Sequence, residues 1–358
     1  MSKLALLDPT KTGKQAEELG NKLRRVVIGQ DEAIHAVVTA YQSHVTGMSP
    51  TGRPIGNFLF LGPTGSGKTR IVEATAESLL NDPRAVIKID CAEYQHSHDI
   101  AKLIGAPPGY TGHRETKSLL CQDALNRQHT DRVKVSIVLF DEIEKASDAL
   151  WNVLLGILDK GILTLGDNSK VDFSSTMIFL TSNLGATEMG ALASPRLGFS
   201  PSTGDAGFQD GREARMSRIG ADAARRKFSP EFINRLDKIV VFKALGHAEL
   251  RAVLDIELEL VQQRVRTASA GVPFQVSVAE DAREMLLREG FDSRYGARHL
   301  KRAIDRLLVQ PLANLMASGQ ISRGDYIRVS HRHDSPSLLF FREAAVRDSW
   351  RLAKSMAA

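Results

Sequence analysis

No stretch of this 358-residue chain is apolar for long enough to cross a membrane. The run Leu4-Ala5-Leu6-Leu7 is too short for the hydrophobic segment of a signal peptide, and Asp8-Pro9 ends it. There are only two cysteines, Cys91 and Cys121. They make no disulfide framework and have no metal-ligand spacing, which suits inert thiols in a reducing compartment. No short internal repeat is evident. Charge of one sign is also scarce: the net is +5, an excess that permits nucleic-acid contact without arguing for it. These absences point away from a disulfide scaffold and a helical membrane protein, and make the cytoplasm the expected location. What remains is ordinary globular composition, 42% hydrophobic and 25% charged, enough for one large or two modest domains.

The chain is organised around Gly62-Pro63-Thr64-Gly65-Ser66-Gly67-Lys68-Thr69, which meets the pattern G-x-x-x-x-G-K-[ST] at every fixed position. Phe58-Leu59-Phe60-Leu61 before it reads as a buried strand. After it, Ile71, Val72, Thr75, Ala76 and Leu79 share one face of a helix that stops at Asn81-Asp82-Pro83. Glycines let backbone N–H groups turn inward around phosphates at a helix N-terminus. Pro63 to Thr69 are therefore the expected nucleotide contacts. In this chemistry Lys68 reaches the β- and γ-phosphates of ATP, and the Thr69 hydroxyl binds Mg²⁺.

Further strands are expected at 85–90, 135–140, 176–180 and 238–242, with helical segments between them. The fold class is α/β: a mainly parallel sheet flanked by helices. Ligands bind such sheets beyond the strand C-termini. The phosphate loop, Asp141-Glu142 and Asn183 all fall there. Residues 184–227 read as a long surface loop followed by a basic helix near Ala221 to Lys227. After Gly246 the pattern changes to a smaller C-terminal α+β domain, with paired strands at 326–329 and 338–341. The expected organisation is a lead-in over 1–25, a large domain over 26–245, a small domain over 246–342 and a helical tail over 343–358.

Ile137-Val138-Leu139-Phe140-Asp141-Glu142 is an apolar strand ending in two acids. Beside a phosphate loop, Asp141 can hold Mg²⁺ through water and Glu142 can orient and activate the attacking water. The plain alternative is a strand end with two solvated acids. Other segments complete a pattern: Val27-Ile28-Gly29-Gln30-Asp31-Glu32-Ala33, Pro54-Ile55-Gly56, Gly105-Ala106-Pro107-Pro108-Gly109-Tyr110, Leu139 to Ala146, Val171-Asp172-Phe173, Thr181-Ser182-Asn183-Leu184-Gly185, Phe228 to Arg235 and Tyr295-Gly296-Ala297-Arg298. With these the chain resembles the Clp family of AAA+ P-loop NTPases, specifically the second ATPase module of its two-ring members. The resemblance runs from about Val26 to Val329.

The resemblance implies roles. Asn183 is similar to sensor 1, which helps place the hydrolytic water. Arg235 is similar to the arginine finger given to a neighbouring subunit, and Arg298 to sensor 2. Ile28 and Gly29 resemble the adenine pocket. Tyr110, between glycines, resembles the aromatic pore loop that grips polypeptide. Leu197-Gly198-Phe199 resembles the tripeptide that docks on a ClpP-like peptidase. Read from residues alone, either arginine can equally be a surface ion-pair residue, Tyr110 a packed turn residue, and the tripeptide an ordinary apolar cluster of a loop.

The family thus implies an ATP- and Mg²⁺-dependent unfoldase or translocase, a hexamer acting on protein substrates, with a ClpP-like peptidase as an implied partner. Two other readings stand beside it: a nucleic-acid motor, and an assembly factor that threads nothing. A neutral Gly-rich loop around Tyr110 argues against nucleic acid. Fewer than thirty residues precede Val27-Ile28-Gly29-Gln30, so a single-ring form without the family's N-terminal domain and first ring is expected. His113 to Lys117 and the stretch from Leu125 to Lys134 depart from the family pattern.

Overall fold

The computed structural model describes residues 7–8, 10–105, 118–193, 206–268, 274–292, 296–332, 335 and 337–343. The chain divides into two compact units, Met1–Ala244 and Leu245–Ala358.

Helices α1 (Lys14–Val26) and α2 (Asp31–Val45) lead into β1 (Gly56–Leu61), and α3 (Lys68–Leu80) follows it. The remaining strands of the first unit are β2 (Ile87–Asp90), β3 (Ser136–Asp141), β4 (Ile162–Thr164), β5 (Lys170–Asp172), β6 (Thr176–Ser182) and β7 (Lys238–Val241). Five of them form one sheet, in the order β2-β3-β6-β1-β7, with every neighbouring pair parallel. β4 and β5 make a separate antiparallel hairpin that sequence reading did not anticipate. These strands are three residues long and alternate exposed-buried-exposed, too little pattern to register as strands.

The central strands are buried along their whole length, as strands covered on both faces must be. Side chains alternate between the faces. Phe58 and Phe60 point to one face: Phe58 stacks on Phe179 at a centroid separation of 5.2 Å, and Phe60 packs tilted against Phe179 at 5.6 Å and Phe242 at 5.0 Å. Leu23, Ile34, Val37 and Ile71 of α1, α2 and α3 close over this cluster. Leu59 and Leu61 point to the other face, where Leu150, Leu154 and Ile157 of the helix Asp148–Lys160 cover them. Phe179 is fully buried between Phe58 and Phe60. Phe179→Ala is expected to cost about 3–5 kcal/mol of stability, read as a lower urea midpoint with unchanged slope.

Cys91 lies in this core, where burial, reinforced by the nearby Asp90 and Asp141 charges, pushes its thiol pKa well up. It stays protonated and inert.

Residues 184–227 are not mainly loop. They contain the helices Ala186–Ala193 and Ala206–Lys227. The long helix needs a small residue where it meets the sheet. A Cβ on Gly220 would stand 2.6 Å from the Val241 side chain, so a glycine lets the long helix lie on β7. The alanines around it favour the helix.

The second unit has helices His247–Ala268 and Glu280–Gly290 and a helical stretch from Ala297 to Ala317 that widens at Asp305–Val309. The widened turn precedes Pro311, which lacks the N–H that would bond back one turn. Strands β8 (Gln275–Val278), β9 (Tyr326–His331) and β10 (Leu338–Glu343) form a sheet in the order β10-β9-β8. β9 and β10 pair antiparallel, while β8 and β9 pair parallel. Leu254, Leu286, Leu308 and Val329 make its core. The expected helical tail after Glu343 lies outside the described residues.

Candidate nucleotide site

β3, β6 and β1 are neighbours in the sheet and run the same way, so the residues leaving their C-termini meet. The loop after β1 is shaped by glycine. Gly62 has φ +143°, and a Cβ there would stand 2.7 Å from the Phe242 carbonyl oxygen. Gly67, the N-cap of α3, has φ +104°, a conformation that side chains rarely adopt. The Ser66 hydroxyl donates to Pro63 O at 2.9 Å. Lys68 is 8% exposed. Its ammonium donates to Gly62 O at 2.7 Å, Pro63 O at 2.9 Å and Asn183 Oδ1 at 2.9 Å. Among the described residues, no acceptor takes the backbone N–H of Thr64, Gly65, Ser66 or Gly67. Unpaired N–H groups curled at a helix N-terminus beside a buried ammonium fit a polyphosphate.

Opposite stand the acids. The Thr181 hydroxyl donates to Asp141 Oδ1, and Lys88 Nζ stands 3.1 Å from Asp141 Oδ2. With both oxygens engaged, Asp141 suits a metal ion held through water, and Thr69, the second residue of α3, supplies a hydroxyl. Glu142 has φ +57°, a left-handed conformation that costs a side-chain-bearing residue about 1–3 kcal/mol. Its N–H donates to the Thr181 hydroxyl at 3.2 Å. Its Oε1 lies 3.4 Å from Asn183 Nδ2, and its Oε2 lies 2.5 Å from Lys145 Nζ. The Glu142 carboxylate holds the Lys145 ammonium above the usual lysine range. Asn183 is itself fixed, because its N–H donates to Glu144 Oε1 at 3.1 Å. The Asn183 amide thus spans from the lysine of the phosphate loop to the carboxylate after β3.

Lys68, Asp141, Glu142 and Asn183 therefore lie in one connected network with Thr181, Lys88, Glu144 and Lys145, to which sequence reading gave no part in the site. Thr181, Glu144 and Lys145 lie within segments that carry the family resemblance, but without an assigned role; Lys88 carries no local signal. Gly29 lines a cavity of about 300 Å³ with Gln30, Met216 and Lys243, and Ile28 before it is half-buried.

Arg235 is elsewhere. Its carbonyl accepts from Asn57 Nδ2 at 3.2 Å, at the start of β1, whereas the phosphate loop leaves the end of that strand. The five steps from Asn57 to Gly62 span roughly 16 Å of extended chain. Its guanidinium donates to Glu231 O at 3.0 Å and pairs with Glu231 at 3.1 Å and Asp159 at 3.7 Å. Its Nε is buried with no partner among the described residues. Arg298 is an exposed residue near the start of the helix Ala297–Ile304 in the second unit. Tyr110 and Leu197-Gly198-Phe199 lie outside the described residues.

A glycine cradle after β1, facing acids on a strand two places away across the central, asparagine-bearing strand, is the construction of a P-loop nucleoside triphosphatase. Within that class the chain belongs to the AAA domain family, Cdc48 subfamily, whose model matches residues 53–239. It is an AAA+ ATPase. Residues 245–329 match the C-terminal, D2-small domain of ClpB. Chaperone protein ClpB of Bdellovibrio bacteriovorus is 40% identical over 309 residues, 86% of this chain and 33% of that protein. ClpB of Meiothermus ruber is 40% identical over 312 residues, 87% of this chain and 34% of that protein. The chain thus spans about a third of the length of these curated relatives. A closed-state cryo-EM reconstruction of Hsp104 with ATPγS and FITC casein superposes with TM-score 0.76 at 28% identity, over 92% of this chain and 52% of that one. A Saccharomyces cerevisiae Hsp104–casein complex in an extended conformation gives 0.74 at 28% identity, over 89% and 51%. No helix among the described residues is long and apolar enough to cross a membrane.

Proposed function

We propose that this chain is an ATP-driven protein unfoldase that works as a ring, a hexamer in the family pattern, and threads polypeptide past Tyr110. The observation that carries the proposal is the split of the machinery. Lys68, Asn183 and Glu142 meet at one end of the sheet, while Arg235 belongs to the other end. A site that needs Arg235 is completed only by a second copy, and head-to-tail contacts that close make rings.

The N–H groups of Thr64 to Gly67 and the Lys68 ammonium bind the β- and γ-phosphates, with Lys68 exchanging its carbonyl partners for phosphate oxygens. Ile28 and Gly29 flank the base. Thr69 and Asp141 would hold Mg²⁺, which when bound neutralises phosphate charge. Glu142 accepts a proton from the attacking water, and the Asn183 amide orients that water between the carboxylate and the phosphate. Arg235 reaches the γ-phosphate of the neighbouring subunit, and Arg298 links nucleotide state to the second unit. The ion pairs of Arg235 to Glu231 and Asp159 involve carboxylates with side chains 61% and 45% exposed, so they release Arg235 at small cost. The ClpP-like peptidase finds no support in the ClpB and Hsp104 relatives and is not part of the proposal.

Tyr110 supplies the test of threading. Tyr110→Ala is expected to leave basal ATP hydrolysis within about twofold of wild type while abolishing unfolding of a fluorescent substrate protein, and Tyr110→Phe to retain most of it. Equal unfolding rates for wild type and Tyr110→Ala under saturating ATP would refute threading by this residue.

A further inference from the structure

The geometry points to Gln30 as a positioning residue of the nucleotide site: it turns the Ser66–Gly67 peptide so that the Gly67 N–H faces the phosphates. The inference rests on the nucleotide-binding reading of the phosphate loop. Gln30 follows the short link from α1 and stands at the N-cap position of α2, without a side-chain bond to that helix, and it is 4% exposed. Its Nε2 donates to Ser66 O at 3.1 Å and to Lys243 O at 3.0 Å, and its Oε1 accepts from Lys243 N at 3.2 Å. Both amide protons and the carbonyl are engaged, so the side chain has one orientation. Two of the bonds grip the backbone just past the end of β7, the strand beside β1 in the sheet. The third reaches from that fixed anchor into the phosphate loop.

The consequence follows from peptide geometry. The Ser66–Gly67 bond is trans, so the Ser66 carbonyl and the Gly67 N–H point in opposite directions. Tying the carbonyl to Gln30 aims the N–H away from Gln30, onto the loop's concave side. The first half of the loop is held from within, by the Ser66 hydroxyl and the Lys68 ammonium on the Pro63 and Gly62 carbonyls. At Gly67 the backbone is free to rotate for want of a side chain, and Gln30 supplies the hold from outside the loop. A donor already aimed at an anion needs no reorganisation when the anion arrives.

The test is a titration of the full-length chain with a fluorescent ADP analogue, beside steady-state ATP hydrolysis. Gln30→Met keeps the length and removes the donor. It is expected to raise the dissociation constant about tenfold, ~1.4 kcal/mol, with KM for ATP rising in step and kcat held within about threefold. Gln30→Glu keeps the acceptor for Lys243 N–H but turns a carboxylate toward the two carbonyls, and the same weakening is expected. Wild type and Lys68→Ala bracket the measurement. If wild type binds no analogue, the nucleotide reading fails and this inference falls with it. If wild type binds, Lys68→Ala does not, and either folded Gln30 variant binds within about twofold of wild type, the role assigned to Gln30 alone is wrong. Failure of both variants to fold would also overturn it, by assigning Gln30 to the stability of the fold.

Discussion

Glu142→Gln is expected to bind ATP about as tightly as wild type and to lose turnover by about a thousandfold, within the range that a positioned general base contributes. The amide occupies the same space and keeps an oxygen for the Asn183 contact, but it accepts no proton from water. Asp141, with its own partners Thr181 and Lys88, is untouched, so the metal-binding side of the site survives. Lys68→Ala is expected to do the reverse and abolish binding. It removes the buried cation proposed for the β- and γ-phosphates and leaves Asn183 Oδ1 without its donor. Titration with a fluorescent nucleotide, paired with phosphate release, separates the two variants. Equal loss of binding in both would contradict the division of labour between them.

Arg235→Ala is expected to reduce hydrolysis by about a thousandfold or more, as removal of an arginine finger does, with nucleotide affinity little changed. The stronger form of the experiment mixes two inactive variants. A Glu142→Gln subunit has no base but still offers Arg235, and an Arg235→Ala subunit keeps its base. Placed side by side, the first completes the site of the second, so mixed rings should recover activity that neither variant has alone. Activity per subunit should also rise with concentration through the assembly range. No recovery on mixing, in samples shown to exchange subunits, would place Arg235 outside the neighbour's site.

The central strands and the phosphate loop were legible because their signals are local. An apolar run such as Phe58 to Leu61 can hardly be other than a buried strand, and G-x-x-x-x-G-K-T carries its own backbone chemistry. The sequence shows only the basic end of the helix Ala206–Lys227, near Ala221 to Lys227. Gly220, just before that end, weakens a helical pattern, and only the fold shows it packed against β7. The hairpin at 162–172 was missed because three-residue strands have no period to detect.

The sequence by itself determined that the chain is an α/β phosphate-loop protein, and it placed the acids and Asn183 at strand ends. It did so because alternation, run length and motif spacing are properties of neighbouring residues. Only the tertiary structure decided the order β2-β3-β6-β1-β7, which sets Asn183 between Lys68 and Glu142 and leaves Arg235 at the opposite end of β1. It alone decided that Gln30 joins the loop at Ser66 to Lys243, which lies 213 residues after Gln30. Such contacts arise from packing between segments far apart in the chain, and no local pattern encodes which strand lies beside which.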